Sequence, residues 1–204
     1  MKKLVLIFVV SLMASSAFAG LDPNNDMMGI YFSPSGENYC LMAPINTPFD
    51  LYLILANPTS PSINAYELGL DVEVPAGMEG MVFRLASNIA DNVVSGVDVG
   101  TNGPLGGDFI VGLASPLPAQ EALILHSWQY MLLGTFRMDM FIGASSQPSI
   151  PGDLPVVQNA EGSILMQVHV TPSWDGNGSA AIINQCPPSA VEDASFGSVK
   201  SLYR

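Results

Sequence analysis

The sequence predicts an all-β domain, an antiparallel β-sandwich. Three observations carry this expectation. Several short runs alternate apolar and polar residues with period two, and clusters of Pro, Gly, Asn and Ser separate them. No stretch of 3.6-residue period is long enough to supply the crossover helices of a parallel sheet. About eight to ten strands in one domain fit this layout, and a chain of 204 residues can bury a sizeable core.

Residues 1–19, MKKLVLIFVVSLMASSAFA, read as a secretory signal peptide. Lys2 and Lys3 form its positive end, Leu4 to Met13 its apolar run, and Ala17-Phe18-Ala19 its cleavage signal. The run is too short for a membrane anchor. The mature chain is therefore expected to be exported to the periplasm, cell surface or medium, with no transmembrane segment. Residues 20–27 read as a flexible arm, 28–188 as the sandwich and 189–204 as a C-terminal tail packed on it.

Within the sandwich, Met28 to Phe32 forms the first strand and Ser33-Pro34-Ser35-Gly36 ends it. Phe49 to Ala56 follows, with Phe49, Leu51, Leu53 and Leu55 on one face. From Ile63 to Val74 the alternation is clean. Tyr66, Leu68, Leu70, Val72 and Val74 oppose Glu67, Gly69, Asp71 and Glu73, a half-buried strand with one wet side. Met81 to Leu85, Val93 to Val99 and Phe109 to Leu113 are further strands, the last preceded by the turn-rich stretch Thr101 to Asp108. Gln120 to Leu133 is the one segment where a helix competes; its aromatic content and the nearby Phe136 to Ile142 run favour two strands. Ser145 to Pro155 is a proline-rich loop and Ser163 to Val170 a strand. Ser173 to Ser179 turns tightly into Ala180 to Ile183.

After signal cleavage the fixed positive charges are Arg84, Arg137, Lys200 and Arg204, against 18 carboxylates. No basic stripe exists to neutralise phosphates, which excludes nucleic acid as a partner. The acids are scattered singly, so they form no interaction tail. The only cysteines, Cys40 and Cys186, are expected to pair, because the exported compartment permits oxidation.

Candidate chemistry is sparse. No nucleophile elbow, phosphate loop, zincin helix or CxxC pair occurs. Asp175, Asn177 and Ser179 have the alternating spacing that opens a Ca²⁺ loop, but the following glycine and the closing bidentate carboxylate are missing, so a hairpin turn is expected. Asn177-Gly178-Ser179 is also a glycosylation sequon. His126 and His169 are the only candidate general bases, and Ser127 beside His126 points to the opposite face of a strand. Glu67, Asp71 and Glu73 share a face at a spacing that would suit an inverting glycosidase pair, though a solvated sheet face carries such residues by default. Tyr52, Tyr66, Trp128 and Tyr130 are expected to pack a core rather than form a sugar platform. Trp174, at a glycine-rich turn where burial is difficult, is the best single pointer to a ligand-binding surface, and a weak one; the ligand is not read from the sequence. No cofactor or metal is expected.

The stretches Met28-Gly29-Ile30-Tyr31-Phe32, Pro48-Phe49 to Tyr52 and Pro148-Ser149-Ile150-Pro151-Gly152, with the ending from Val191 to Arg204 (VEDASFGSVKSLYR), resemble a group of exported bacterial β-domain proteins with no assigned activity. That group usually carries Trp where this chain has Phe196. The resemblance implies an exported β-domain and adds no catalytic residues. The strand and polar-turn layout also looks like cohesin-type or other immunoglobulin-like sandwiches, modules that bind proteins or sugars. The functional expectation is an exported, non-enzymatic binding, adhesion or structural module with a protein or glycan partner. The alternative is a secreted carboxylate-based hydrolase such as a glycosidase, or a calcium-dependent carbohydrate-binding domain.

Overall fold

The computed structural model describes residues 20–162, 165–172 and 176–186. The unit Gly20–Cys186 is built of strands. In chain order they are β1 Met27–Tyr31, β2 Cys40–Leu41, β3 Phe49–Ala56, β4 Ser62–Glu73, β5 Val82–Ile89, β6 Gly96–Asp98, β7 Asn102–Gly103, β8 Gly106–Pro118, β9 Ala122–Leu132, β10 Met138–Gly143, β11 Val156–Asn159, β12 Leu165–Gln167, β13 His169–Val170 and β14 Ala181–Ile183. Two single-turn 3₁₀ segments, Glu79–Met81 and Ala90–Asn92, flank β5.

The strands form two sheets, one ordered β13-β1-β3-β9-β5 and the other organised around β4. Because β8 pairs with β4 from Ser62 to Asp71, the other edge of β4 is left for two partners in series. There β10 pairs with Gly69–Glu73 and β11 with Ile63–Glu67. β14 and then β2 extend the sheet beyond β10, β12 extends it beyond β11, and β6 and β7 lie outside β8. Pairing is antiparallel except at two short contacts, β1 with β13 and β14 with β2. The expected sandwich is thus the observed one, with parallel pairs added where the first strands meet the last.

The core lies between the sheets. β3 contributes Leu51, Leu53 and Leu55, β4 Tyr66, Leu68, Leu70 and Val72, β8 Phe109 and Val111, and β9 Leu125, Trp128, Tyr130 and Leu132. The competing helix at Gln120 to Leu133 is not formed, and the reason its pattern was ambiguous is a bulge. Leu53 pairs with His126 and Ile54 with Ile124, so Leu125 is the extra residue. Leu123 and Leu125 face the core before the bulge, while His126, Trp128, Tyr130 and Leu132 do so after it.

Cys40 and Cys186 are bonded, with Cα atoms 5.7 Å apart and 146 residues of separation. In the chain-entropy model a loop of this length stabilises the fold by ~4–5 kcal/mol. The segment expected as a loose arm is tied to the turn after β3. Asn57 Nδ2 donates to the Asp22 carbonyl at 2.9 Å, and both carboxylate oxygens of Asp26 accept from Thr59, its N–H at 2.8 Å and its hydroxyl at 2.7 Å.

Candidate functional site

The outer face of the β4 sheet carries a trough of about 460 Å³. Strand register builds it. One outward row runs Val97, Gly112, Ala65, Gln158, Leu165 across β6, β8, β4, β11 and β12. The next runs Ile110, Glu67, Val156, Gln167, with Val99 bonded through its N–H to the Ile110 carbonyl. Small residues, Gly112 and Ala65, set a low floor in the middle. Val97 (65% exposed), Val99 (71%) and Leu165 (43%) stand at the sides, an apolar lining open to water.

One end of the trough is closed by residues 144–155. The chain leaves the sheet at Gly143, opposite Gly69, and returns at Val156, opposite Glu67. It therefore spends a long excursion to advance two positions along β4, the form of an Ω-loop. A carboxylate anchors it at each of two points. Glu67 accepts the Ser149 N–H at 2.6 Å and its hydroxyl at 2.7 Å; Asp108 accepts the Ser146 N–H at 2.8 Å and its hydroxyl in a still shorter contact. Gly69 is required beneath the loop, since a Cβ there would run into the Ala144 carbonyl oxygen. Sequence reading saw the proline-rich composition of this loop but missed Ser146 and Ser149, because nothing local to a serine tells which distant carboxylate it meets.

These anchors bear on the carboxylate trio. Glu67 is buried and both its oxygens are engaged, while Asp71 and Glu73 are exposed farther along β4. Three outward carboxylates therefore do not present an acid and a base around a common cleft.

His126 sits between the sheets. Its Nδ1 is 2.7 Å from the Tyr66 hydroxyl and its Nε2 is 2.8 Å from Ser87 Oγ. The ring stacks on Trp128 and meets the edge of Phe109. Burial first, and the Arg84 charge second, push its pKa down to about 3. Burial holds the Tyr66 hydroxyl protonated, above its ordinary value. The neutral imidazole carries its proton on one of these nitrogens and accepts at the other, so each ring nitrogen has a hydroxyl partner. Ser127, its sequence neighbour, instead donates to Asp91 at 2.9 Å on the opposite face. Ser87, which sequence reading missed, reaches His126 because β5 pairs with β9. His169 is exposed on β13.

Trp128, Tyr130 and Tyr66 are core residues at 1%, 0% and 2% exposure. Trp174 and Asp175 lie outside the described residues, as do 187–204, which include the tail. Ser179 donates its N–H to Asn177 Oδ1 at 2.8 Å, a local Asx-type contact. Among the described residues no group of three or more His, Cys, Asp or Glu is arranged to hold a metal ion, and no helix is long and apolar enough to cross a membrane.

No protein-family model matches the chain, and no curated protein matches its sequence. Solved structures match its fold. A type II cohesin domain from the cellulosome of Acetivibrio cellulolyticus superposes with a TM-score of 0.53 at 12% identity, covering 79% of this chain and 96% of that one. The sixth cohesin of scaffoldin B from the same organism, solved in complex with a Cel5 dockerin mutant, gives 0.51 at 6% identity over 79% and 99%. The second type II cohesin module of its ScaA scaffoldin gives 0.50 at 10% identity over 81% and 100%. The fold is a cohesin-like β-sandwich.

Proposed function

We propose that this chain is an exported, non-enzymatic module that docks a protein partner in the trough on the β4 sheet, and that the partner presents an amphipathic helix with basic residues at its margin. The carrying observation is the trough itself, a floor of Gly112 and Ala65 between exposed Val97, Val99 and Leu165. Four strand spacings separate β6 from β12, roughly 19 Å. That span is wide enough to seat a helix of ~10–12 Å diameter with its side chains.

Charge supports a basic partner. Arg84 and Arg137 are the fixed cations among the described residues. Arg137 is paired with Asp139 at 2.6 Å, and Arg84 turns over the Phe109 ring. Carboxylates at Asp71, Glu73, Asp153 and Glu161 remain exposed, which favours approach of positive charge. A cohesin of the same fold was solved bound to a dockerin, consistent with protein docking on this sandwich. Of the four aromatics weighed for a sugar platform, Tyr66, Trp128 and Tyr130 are inside and Tyr52 is half-buried on β3, away from the trough lining, which favours protein over glycan there.

The test uses residues 20–204, oxidised, as bait against exported proteins of the source cells. Three forms are compared: wild type, Ala65→Arg/Val97→Asp in the trough, and Tyr52→Ser on the other sheet. A partner held by wild type and Tyr52→Ser, lost by at least ~30-fold in affinity by the trough variant and weakened by salt, is the expected result. Capture that ignores the trough substitutions overturns the reading.

A further inference from the structure

We propose that residues 144–155 are a displaceable strap that covers the continuation of the trough, held down by the Glu67 and Asp108 anchors and hinged where β10 ends and β11 begins. The inference rests on the docking reading for its purpose, but its physical content concerns the free protein. The outward row beyond Ile110 and Glu67 is Asp108, Gly69, Gly143. The floor of small residues thus runs on beneath the strap, and Ser149 lines the end of the open part.

The strap is held lightly apart from the anchors. Ser146, Gln147, Ser149, Pro151, Gly152 and Asp153 are exposed. Among the described residues its other polar ties are the Ala144 N–H to the Asp153 carbonyl, within the strap itself, Gln167 Nε2 to the Pro151 carbonyl at 3.2 Å, and the Val168 N–H to the Pro155 carbonyl at 3.0 Å, at the hinge where β11 begins. Both ends are fixed by ladder pairing, so release of the anchors lifts the middle without unzipping β10 or β11. A basic side chain of a docking helix would offer Glu67 and Asp108 charge-assisted hydrogen bonds in place of neutral serine donors, so the partner that fits the open half also competes for the anchors of the covered half.

Hydrogen exchange on residues 20–204 without any partner tests this. In Glu67→Ala/Asp108→Ala, exchange at the Ser146 and Ser149 amides is expected to rise at least ~10-fold, while the β3, β4, β10 and β11 ladder amides keep wild-type protection. Nile red, a neutral apolar probe, should then bind with a higher fluorescence plateau as the covered floor opens. Ser146→Ala/Ser149→Ala, which removes only the hydroxyl half of each anchor, should give an intermediate rise and serves if the first variant does not fold. Unchanged exchange at the two serines, or a rise spreading through β4, β10 and β11, overturns the strap. Absence of any docking partner would sink the docking reading and leave these exchange results standing.

Discussion

The Tyr66 hydroxyl lies 2.7 Å from Nδ1 of His126, and through that contact the two sheets exchange a hydrogen bond inside an apolar core. Tyr66 belongs to β4 and His126 to β9, so neither can shift without leaving a buried polar group unpaired, a cost of ~1–3 kcal/mol. The pair fixes the relative placement of the sheets while keeping the imidazole neutral.

That neutrality sets the response to acid. His126 has a folded pKa near 3 against an ordinary value of about 6.5, so the unfolded chain binds the extra proton between those values. Its contribution to stability is complete above about pH 6.5 and is lost as pH falls toward 3, at up to ~1.4 kcal/mol per pH unit. In Tyr66→Phe/His126→Leu, which removes both partners, urea unfolding should show a visibly shallower loss between pH 6 and 4. An unchanged slope would assign acid sensitivity to the carboxylates alone.

Gly69→Ala puts a Cβ against the Ala144 carbonyl. Stability should fall by ~1–2 kcal/mol, read as a lower urea midpoint at constant m-value. In the Glu67→Ala/Asp108→Ala background the same substitution should cost less than ~0.5 kcal/mol, because the strap is already free to move.

Reduction, or Cys40→Ser/Cys186→Ser, should lower stability by ~2–4 kcal/mol, less than the chain-entropy figure because residual structure in the reduced unfolded chain offsets part of it, with the ring and ladder contacts of the core kept. Thermal unfolding with and without reductant checks this, and the double variant should show no response to reductant.

Deletion of Leu125 removes the bulge residue. Leu123, His126, Trp128 and Tyr130 then alternate without interruption on the core face, because the bulge had placed Leu125 and His126 inward in succession. The variant should keep its near-ultraviolet circular dichroism and lose about as much stability as Leu125→Ala, ~2–4 kcal/mol, since both remove one buried leucine side chain.

β3 and β4 were legible because each buries one face along most of its length, and period two records that directly. β9 was harder, since its phase changes at Leu125 and the pattern on either side averages toward no period. The Cys40–Cys186 pair was legible from the compartment that the leader predicts. The trough was not, because it depends on Val97, Gly112, Ala65, Gln158 and Leu165 coming into one row from five strands. The use of carboxylates was hidden too. Asp26, Glu67 and Asp108 each take the N–H and hydroxyl of one distant Ser or Thr, so acids that read as scattered surface charge are partly loop anchors.

The bond between Cys40 and Cys186 also decides how the domain responds to being pulled. Tension entering before Cys40 and leaving after Cys186 passes through one covalent link, since the chain between these residues, 146 positions apart in sequence, is bypassed. Of the strands only β1, which precedes Cys40, is loaded, and the domain cannot lengthen by unravelling between the two cysteines. Under reducing conditions the same pull would also bear on the short parallel contact of β2 with β14, so in a single-molecule stretching experiment the oxidised domain should lengthen only by the stretch before Cys40 and the reduced one by the whole domain.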